Sequence, residues 1–351
     1  MKILYFLLLF VSFNILAQKE VLPEYINIPD RNFEKFLVDQ QIDTDWAYDG
    51  KMLRTDAEKV KTLNVSSLGI RNLKGIEYFS NLTYLNCYDN IITNLDLQKN
   101  DSLQILDCGN NRIQEIDLSK NTLLETLYIY GNLLQELNLS KNTSIKLLDC
   151  SKNSLKQINV SENQFLETLV CGFNQISNLE LSKNAYLTTL ECNQNNINQL
   201  NIEDNKMLSK LHCIGNKISK LNLSSNLFLE NLNCGKNPIS KLDISKNTML
   251  AELNCVENQL KEIELNNNKH LRVLVCDNNN IEDMDLSENE NLEYLSCNYN
   301  KLTHLEVQKN NKISKLSCFY NPSLVKICIS NNAQPTTNWT KDVTAMYTYC
   351  K

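Results

Sequence analysis

From residue 81 to residue 332 the apolar positions recur on a fixed period of 21 or 22 residues. Leu stands at the second and fifth places, Cys or another apolar residue at the seventh, and Ile or Leu at the twelfth, fifteenth and seventeenth, with Asn at the tenth and twentieth. The segment 102–122, SLQILDCGNNRIQEIDLSKNT, shows the pattern, and twelve such segments follow one another. No unit of this size buries its apolar residues alone, so the array is one stacked solenoid. Alternation around Leu106 and Cys108 predicts one short strand per repeat, every second side chain pointing inward. Parallel stacking at about 4.8 Å per strand makes the array roughly 55 Å long. About eleven residues remain for each return, too few for a long helix, which predicts extended or 3₁₀ segments there.

Two polar columns run through the pattern. The first comprises Asn90, Asn111, Asn132 and every tenth-place residue through Asn321; the second runs from Asn100 to Asn310. Where the chain bends off a strand its backbone groups lose their ladder partners, and an inward Asn carries two donors and an acceptor to replace them. Eleven of the thirteen cysteines occupy the seventh place, and Ile129 fills it in the third repeat. The place therefore asks for a modest apolar side chain. In-register strands hold the Cβ atoms near 5 Å, wider than the roughly 3.8 Å of a disulfide, so these are expected to be buried free thiols.

The 21-residue repeat with its cysteine column resembles that of bacterial leucine-rich repeat proteins of the internalin-like class, L-x-x-L-x-C-x-x-N-x-L-x-x-L-D-L-S-x-N, over about 250 residues. The resemblance implies a mostly β, α/β-class, curved right-handed solenoid with its parallel sheet on the concave face. It further implies a secreted or surface-exposed bacterial protein that binds something, without naming the ligand.

Residues 1–17, MKILYFLLLFVSFNILA, read as a secretory signal, and no Cys follows the expected cleavage point to carry a lipid. Residues 18–59 are expected to form an N-terminal cap. Asp30 can cap a short helix that aligns Phe33, Phe36 and Leu37, and Thr55-Asp56-Ala57-Glu58 reads as a capping box opening a second helix. Between them, Asp43, Asp45, Asp49 and Gly50, with Asp56 at the twelfth place once two inserted residues are allowed, resemble a modified EF-hand loop. A structural calcium ion on those four aspartates is one reading; an Asp- and Gly-rich turn between two helices is the other. The solenoid is expected over 60–332, its first coil (60–80) atypical because it meets the cap. Residues 333–351 lack the repeat. They are expected to fold over the last coil, Trp339 covering its core, with Cys328 bonded to Cys350; this tail resembles the C-terminal caps of secreted bacterial leucine-rich repeat proteins.

A net charge of −6 with Lys and acidic residues interspersed offers no footprint for nucleic acid or anionic lipid, and no later apolar run is long enough to enter a membrane. With the inward places fixed, the fourth, sixth, eighth and ninth places are left to encode a partner. Early repeats present Tyr84, Tyr88, Tyr128 and Tyr130 there, with Asp89, Asp107 and Asp149 alongside. Late repeats present Val273, Val275, Tyr294, Tyr299, Phe319 and Tyr320. Exposed aromatics on a sheet are anchors for protein side chains or sugar faces. Of the three histidines only His212 lies on this face, one rung from Glu191, with no nucleophile opposite; the two are expected to form a cross-strand polar pair. Neither terminal cap can bury an active-site core. The reading is a monomeric, exported, non-enzymatic recognition protein for a protein or glycan ligand, with a passive component of the cell envelope or extracellular matrix as the alternative.

Overall fold

A computed structural model describes residues 23–331, 335 and 337–350 of the 351-residue chain; the expected signal segment, 1–17, lies outside the described residues. Each repeat contributes one strand of three or four residues at its fourth to sixth places, from Tyr84–Asn86 to Lys315–Cys318. These twelve strands, flanked by Thr62–Asn64 and Trp339–Lys341, make a fourteen-stranded parallel sheet in strict register. Leu is the middle residue of each repeat strand because that side chain points into the coil: Leu85, Leu106 and Leu127 are fully buried. Between strands the return is made by consecutive β-turns. Asn121 donates its N–H to Leu118 O at 3.0 Å and Leu124 donates to Asn121 O at 3.2 Å, and the other coils repeat this. The aspartate at the sixteenth place has a job of its own here: Asp117 Oδ1 accepts from Ser119 N at 2.9 Å, an Asx turn that holds its carboxyl below the usual range.

The two asparagine columns do different work. At the tenth place, Asn111 Oδ1 accepts from Ile92 N at 3.0 Å, while its Nδ2 donates to Cys87 O of the preceding coil and to Cys108 O of its own. At the twentieth place, Asn121 Nδ2 donates to Leu97 O and Asn100 O of the preceding coil, and its Oδ1 meets no donor of the protein. The seventh-place cysteines are buried and unbonded. Burial pushes the thiols of Cys150, Cys192 and Cys234 up to about 12, so they stay protonated and apolar.

At the N-terminal end, helix α1 (Arg31–Asp39) packs Phe33 and Leu37 on the first coil, with Phe33 6.2 Å from the Phe79 ring. One carboxylate joins the two parts. Asp30 Oδ1 accepts from Asn32 N and Phe33 N to cap the helix, and Oδ2 accepts from Arg71 N at 2.7 Å and Asn72 N at 3.2 Å. Gly75 sits at φ +104°, and a Cβ there would lie 2.4 Å from Ile28 Cδ1, so the cap docks only against glycine. The expected capping box does not form. Helix α2 (Arg54–Ala57) is a single turn whose N-cap is Leu53, with no side-chain bond, because Thr55 lies inside the turn rather than before it.

At the other end the tail is a coil in disguise. Trp339–Lys341 extends the main sheet beside Lys315–Cys318, placing Trp339 beside Leu316 over the core. Met346–Tyr349 extends a second, three-stranded parallel sheet with His304–Glu306 and Lys326–Ile329 on the return side. Cys328 lies outside the ladder column and is buried in the central strand of this second sheet; it is joined to Cys350, just past the neighbouring strand, with the Cα atoms 5.4 Å apart.

Candidate functional site

The outward residues of the main sheet form its solvent-facing side. Of the fourth- and sixth-place side chains, Tyr84, Asp107, Tyr128, Asp149, Val273 and Tyr294 are half-buried between neighbouring rungs. Tyr88 and Tyr130 are two rungs apart yet their ring centroids are 5.9 Å apart. Gly109 makes this contact possible, since a Cβ on the rung between them would stand 2.7 Å from the Tyr130 ring. Asn110 Nδ2 donates to Tyr88 Oη at 3.1 Å and fixes the phenol. Below the rings, Asp107 Oδ1 accepts from Gly109 N, and Asp149 Oδ1 accepts from Ser151 N and Oγ. Burial, together with the Asp149 charge, raises the Asp107 carboxyl above its ordinary value. Burial and the Asp107 charge raise the Tyr130 phenol, which stays neutral.

A second group closes the far end of the face. Tyr299 and Tyr320 stack at 4.2 Å with planes 9° apart, and Phe319 leans on Tyr320 at 6.4 Å. Tyr299, Phe319 and Tyr320 are between 39% and 59% exposed. Lys315 Nζ lies 4.8 Å over the Tyr294 ring. Between them runs a polar relay that the sequence pattern does not announce. Ser296 Oγ donates to Asp277, Asn298 Nδ2 donates to Ser296 Oγ, and Ser317 Oγ donates to Asn298 Oδ1 at 2.8 Å.

Glu191 and His212 are register neighbours but do not bond to each other. Glu191 accepts from Lys210 Nζ at 2.6 Å, and His212 Nε2 pairs with Asn231 Oδ1 at 2.8 Å, so each is taken by a nearer partner. The four cap aspartates are likewise committed elsewhere. Asp56 accepts from Thr44 and Lys59, Asp45 from Ala47 N, Asp49 from Lys51 N, and Asp43 is buried with Asp45 N as its donor. Glu34, which the sequence reading passed over, accepts from Gly50 N and latches the loop from inside. Among the described residues no three carboxylate, thiol or imidazole groups converge on one point. The grooves beside the sheet, such as one of about 440 Å³ lined by Arg71, Lys74, Glu77 and Lys99, lie on the return turns.

Among solved structures, the chain is similar to the functional domain of InlJ from Listeria monocytogenes, which includes a cysteine ladder. The match has 28% identity and a TM-score of 0.73, over 88% of this chain and 76% of that one. With the 21-residue repeat and its cysteine column, that neighbour decides the class. The chain is an internalin-like leucine-rich repeat protein. A second internalin of Listeria monocytogenes, InlF, matches at 24% identity and a TM-score of 0.67, over 82% of this chain and 94% of that one. The plant peptide hormone receptor RGFR1 in complex with RGF2 shares the fold at 19% identity and a TM-score of 0.63, over 79% of this chain and 54% of that one. No family model and no curated protein matches the chain. Among the described residues no helix is long and apolar enough to cross a membrane.

Proposed function

We propose that this internalin-like protein is an exported recognition module that holds a protein or glycan ligand on the concave face of its sheet. Tyr88 and Tyr130 anchor one end, and Tyr299, Phe319 and Tyr320 the other. The observation that carries the reading is the Tyr88–Tyr130 contact across Gly109, above Asp107 and Asp149. Two rings are brought together on a side with no core to fill, where flat apolar faces and carboxylate acceptors meet a ligand together. The same fold in RGFR1 is seen in complex with RGF2, which supports a proteinaceous ligand as one of the two classes. No catalytic role belongs to this reading, because the one imidazole on the face is paired with an amide and stands beside no nucleophile.

Binding of the purified protein to panels of matrix proteins and glycans, beside a Tyr88→Ala/Tyr130→Ala variant that keeps its circular dichroism, tests the proposal. The variant is expected to lose at least roughly tenfold in affinity for whatever the parent captures, as for anchor residues elsewhere. Capture that is equal in both, and equal again in a Tyr299→Ala/Tyr320→Ala variant, refutes the concave site; no capture by any form supports a passive envelope component.

A further inference from the structure

The first place of each repeat stands just before the buried Leu that leads into the strand, and it faces solvent along one flank of the solenoid. In five successive coils it holds Phe165, Tyr186, Met207, Phe228 and Met249, and Leu227 lies beside Phe228; all are between 41% and 57% exposed. The Phe165 and Tyr186 rings stack at 6.2 Å. The fold does not ask for apolar residues there, since the other coils carry Asn81, Ser102, Ser144, His270, Asn291 and Lys312 at the same place, and Leu123, one coil beyond Ser144, is the single apolar residue there outside the strip. Six large side chains, each about half exposed, leave on the order of 600 Å² of apolar surface in one strip, at the upper end of what monomers show.

We propose that this flank is the interface of a twofold dimer, in which the strip of one copy lies antiparallel on the strip of a second. A row with one side chain per rung, about 4.8 Å apart, is matched residue for residue by another row of the same pitch. The row also reads suitably in reverse. With the axis at Met207, Phe165 meets Met249 and Tyr186 meets Phe228 of the second copy, giving sulfur–aromatic and ring–ring contacts on either side of a Met207–Met207 contact. Such an isologous contact closes at two copies, and the polar Ser144 and His270 end the strip on either side. Two strips together remove about 1,200 Å² from water, the lower bound for a specific interface. The neighbouring charges tolerate it. Glu167 falls on the rung of Ala251 and Glu230 on the rung of Thr188, so neither carboxylate meets its own copy. Lys206 alone lies beside the axis, where its stem carries the ammonium out to water. With a net charge of −6 and no basic cluster beside the strip, an anionic membrane is a poorer occupant than a second copy. The proposal departs from the monomer expected from sequence and does not depend on the concave-face reading.

Sedimentation equilibrium of the purified protein over a wide concentration range is the test, with Met207→Glu and Phe228→Glu variants that keep the parent's circular dichroism. A monomer–dimer equilibrium is expected, with a dissociation constant raised roughly thirtyfold or more by either substitution. Met207→Cys is expected to couple to itself under mild oxidation, and Phe165→Cys only when mixed with Met249→Cys; the ladder thiols are buried and do not compete. A parent that stays monomeric throughout, a dimer that both substitutions leave unchanged, or self-coupling of Phe165→Cys alone overturns the proposal. Strip-dependent binding of a monomeric protein to neutral or anionic phosphatidylcholine–phosphatidylserine vesicles overturns it in favour of a lipid surface.

Discussion

The two asparagine columns look equivalent in sequence, yet removing one member of each should have unequal consequences. In the ladder column, Asn195 Oδ1 accepts from Ile176 N at 2.9 Å, and its Nδ2 donates to Cys171 O, Cys192 O and Asn193 O. Each of those carbonyls keeps another donor after Asn195→Ala: Asn174 for Cys171, Asn216 for Cys192, and the Phe173 N–H for Asn193. The Ile176 N–H keeps none and is left orphaned inside the turn. An orphaned buried donor costs about 1–3 kcal/mol and each redundant bond lost about 0.5 kcal/mol, so the substitution should cost about 3 kcal/mol. In the other column, Asn184 Nδ2 donates to Val160 O and Asn163 O, which both keep a turn N–H, from Asn163 and Leu166. Its own Oδ1 is already buried without a protein donor. Asn184→Ala therefore orphans nothing and removes one unsatisfied acceptor, for a net cost of about 1 kcal/mol. Urea unfolding followed by circular dichroism, with midpoints compared at matched slopes, measures both. Equal costs, or a larger cost at Asn184, would refute the division of labour between the columns.

Three further outcomes are expected. The eleven ladder thiols should be inert to a chromogenic disulfide reagent at pH 8 in the native protein and react fully in urea; prompt reaction of any one would place it at the surface. Asp43 is pushed up to about 6, first by burial and then by the charges of Asp45 and Asp56. A carboxyl whose folded pKa lies above its unfolded value stabilises the fold only while protonated, so stability should fall as pH rises from about 4 through 6. Asp43→Asn, which keeps the acceptor for Asp45 N, should stabilise the cap by about 1–3 kcal/mol at pH 7 and change nothing at pH 4; equal effects at both pH values would dissociate the shift from stability. Lys152 is exposed and held at φ 53°, so Lys152→Gly should gain about 1 kcal/mol from relief of left-handed strain, net of glycine's entropy, and an unchanged urea midpoint would show that no strain is stored there.

The repeat made the strand of each coil, its inward Leu, the buried cysteines and the tenth-place amide legible, because each follows from period, alternation and the donor count of Asn. Local pairing was not legible. Thr55 reads as a cap from its neighbours, but the chain enters the helix two residues earlier, with Leu53 as the cap; Glu191 and His212 share a rung boundary, but Lys210 and Asn231 reach them first. The flank strip was also passed over. It emerges only when the first places of successive repeats are read down the column, and a residue type that varies between coils leaves no mark on a consensus.

The ninth place carries the largest correction to the view of a freely variable face. In thirteen successive coils, from Ser67 to Tyr320, its residue lies in the left-handed region, because there its N–H must return to the ladder while the chain turns off the strand. Asp89, Asn110, Gly131, Gly215 and Asn278 suit that backbone; Phe173, Tyr299 and Tyr320 do not. A bulky side chain in this conformation costs on the order of 1 kcal/mol that Gly or Asn would largely avoid. Lys236 and Glu257 bear the same strain and regain part of it through their ion pair at 3.3 Å. Tyr299 and Tyr320 regain it by stacking on each other, a contact that needs both residues and leaves both rings about half exposed. Two coils therefore accept a backbone penalty to hold a paired aromatic surface in water. The fold gains nothing further from that surface, and this gives the late end of the concave face the same standing as the early one.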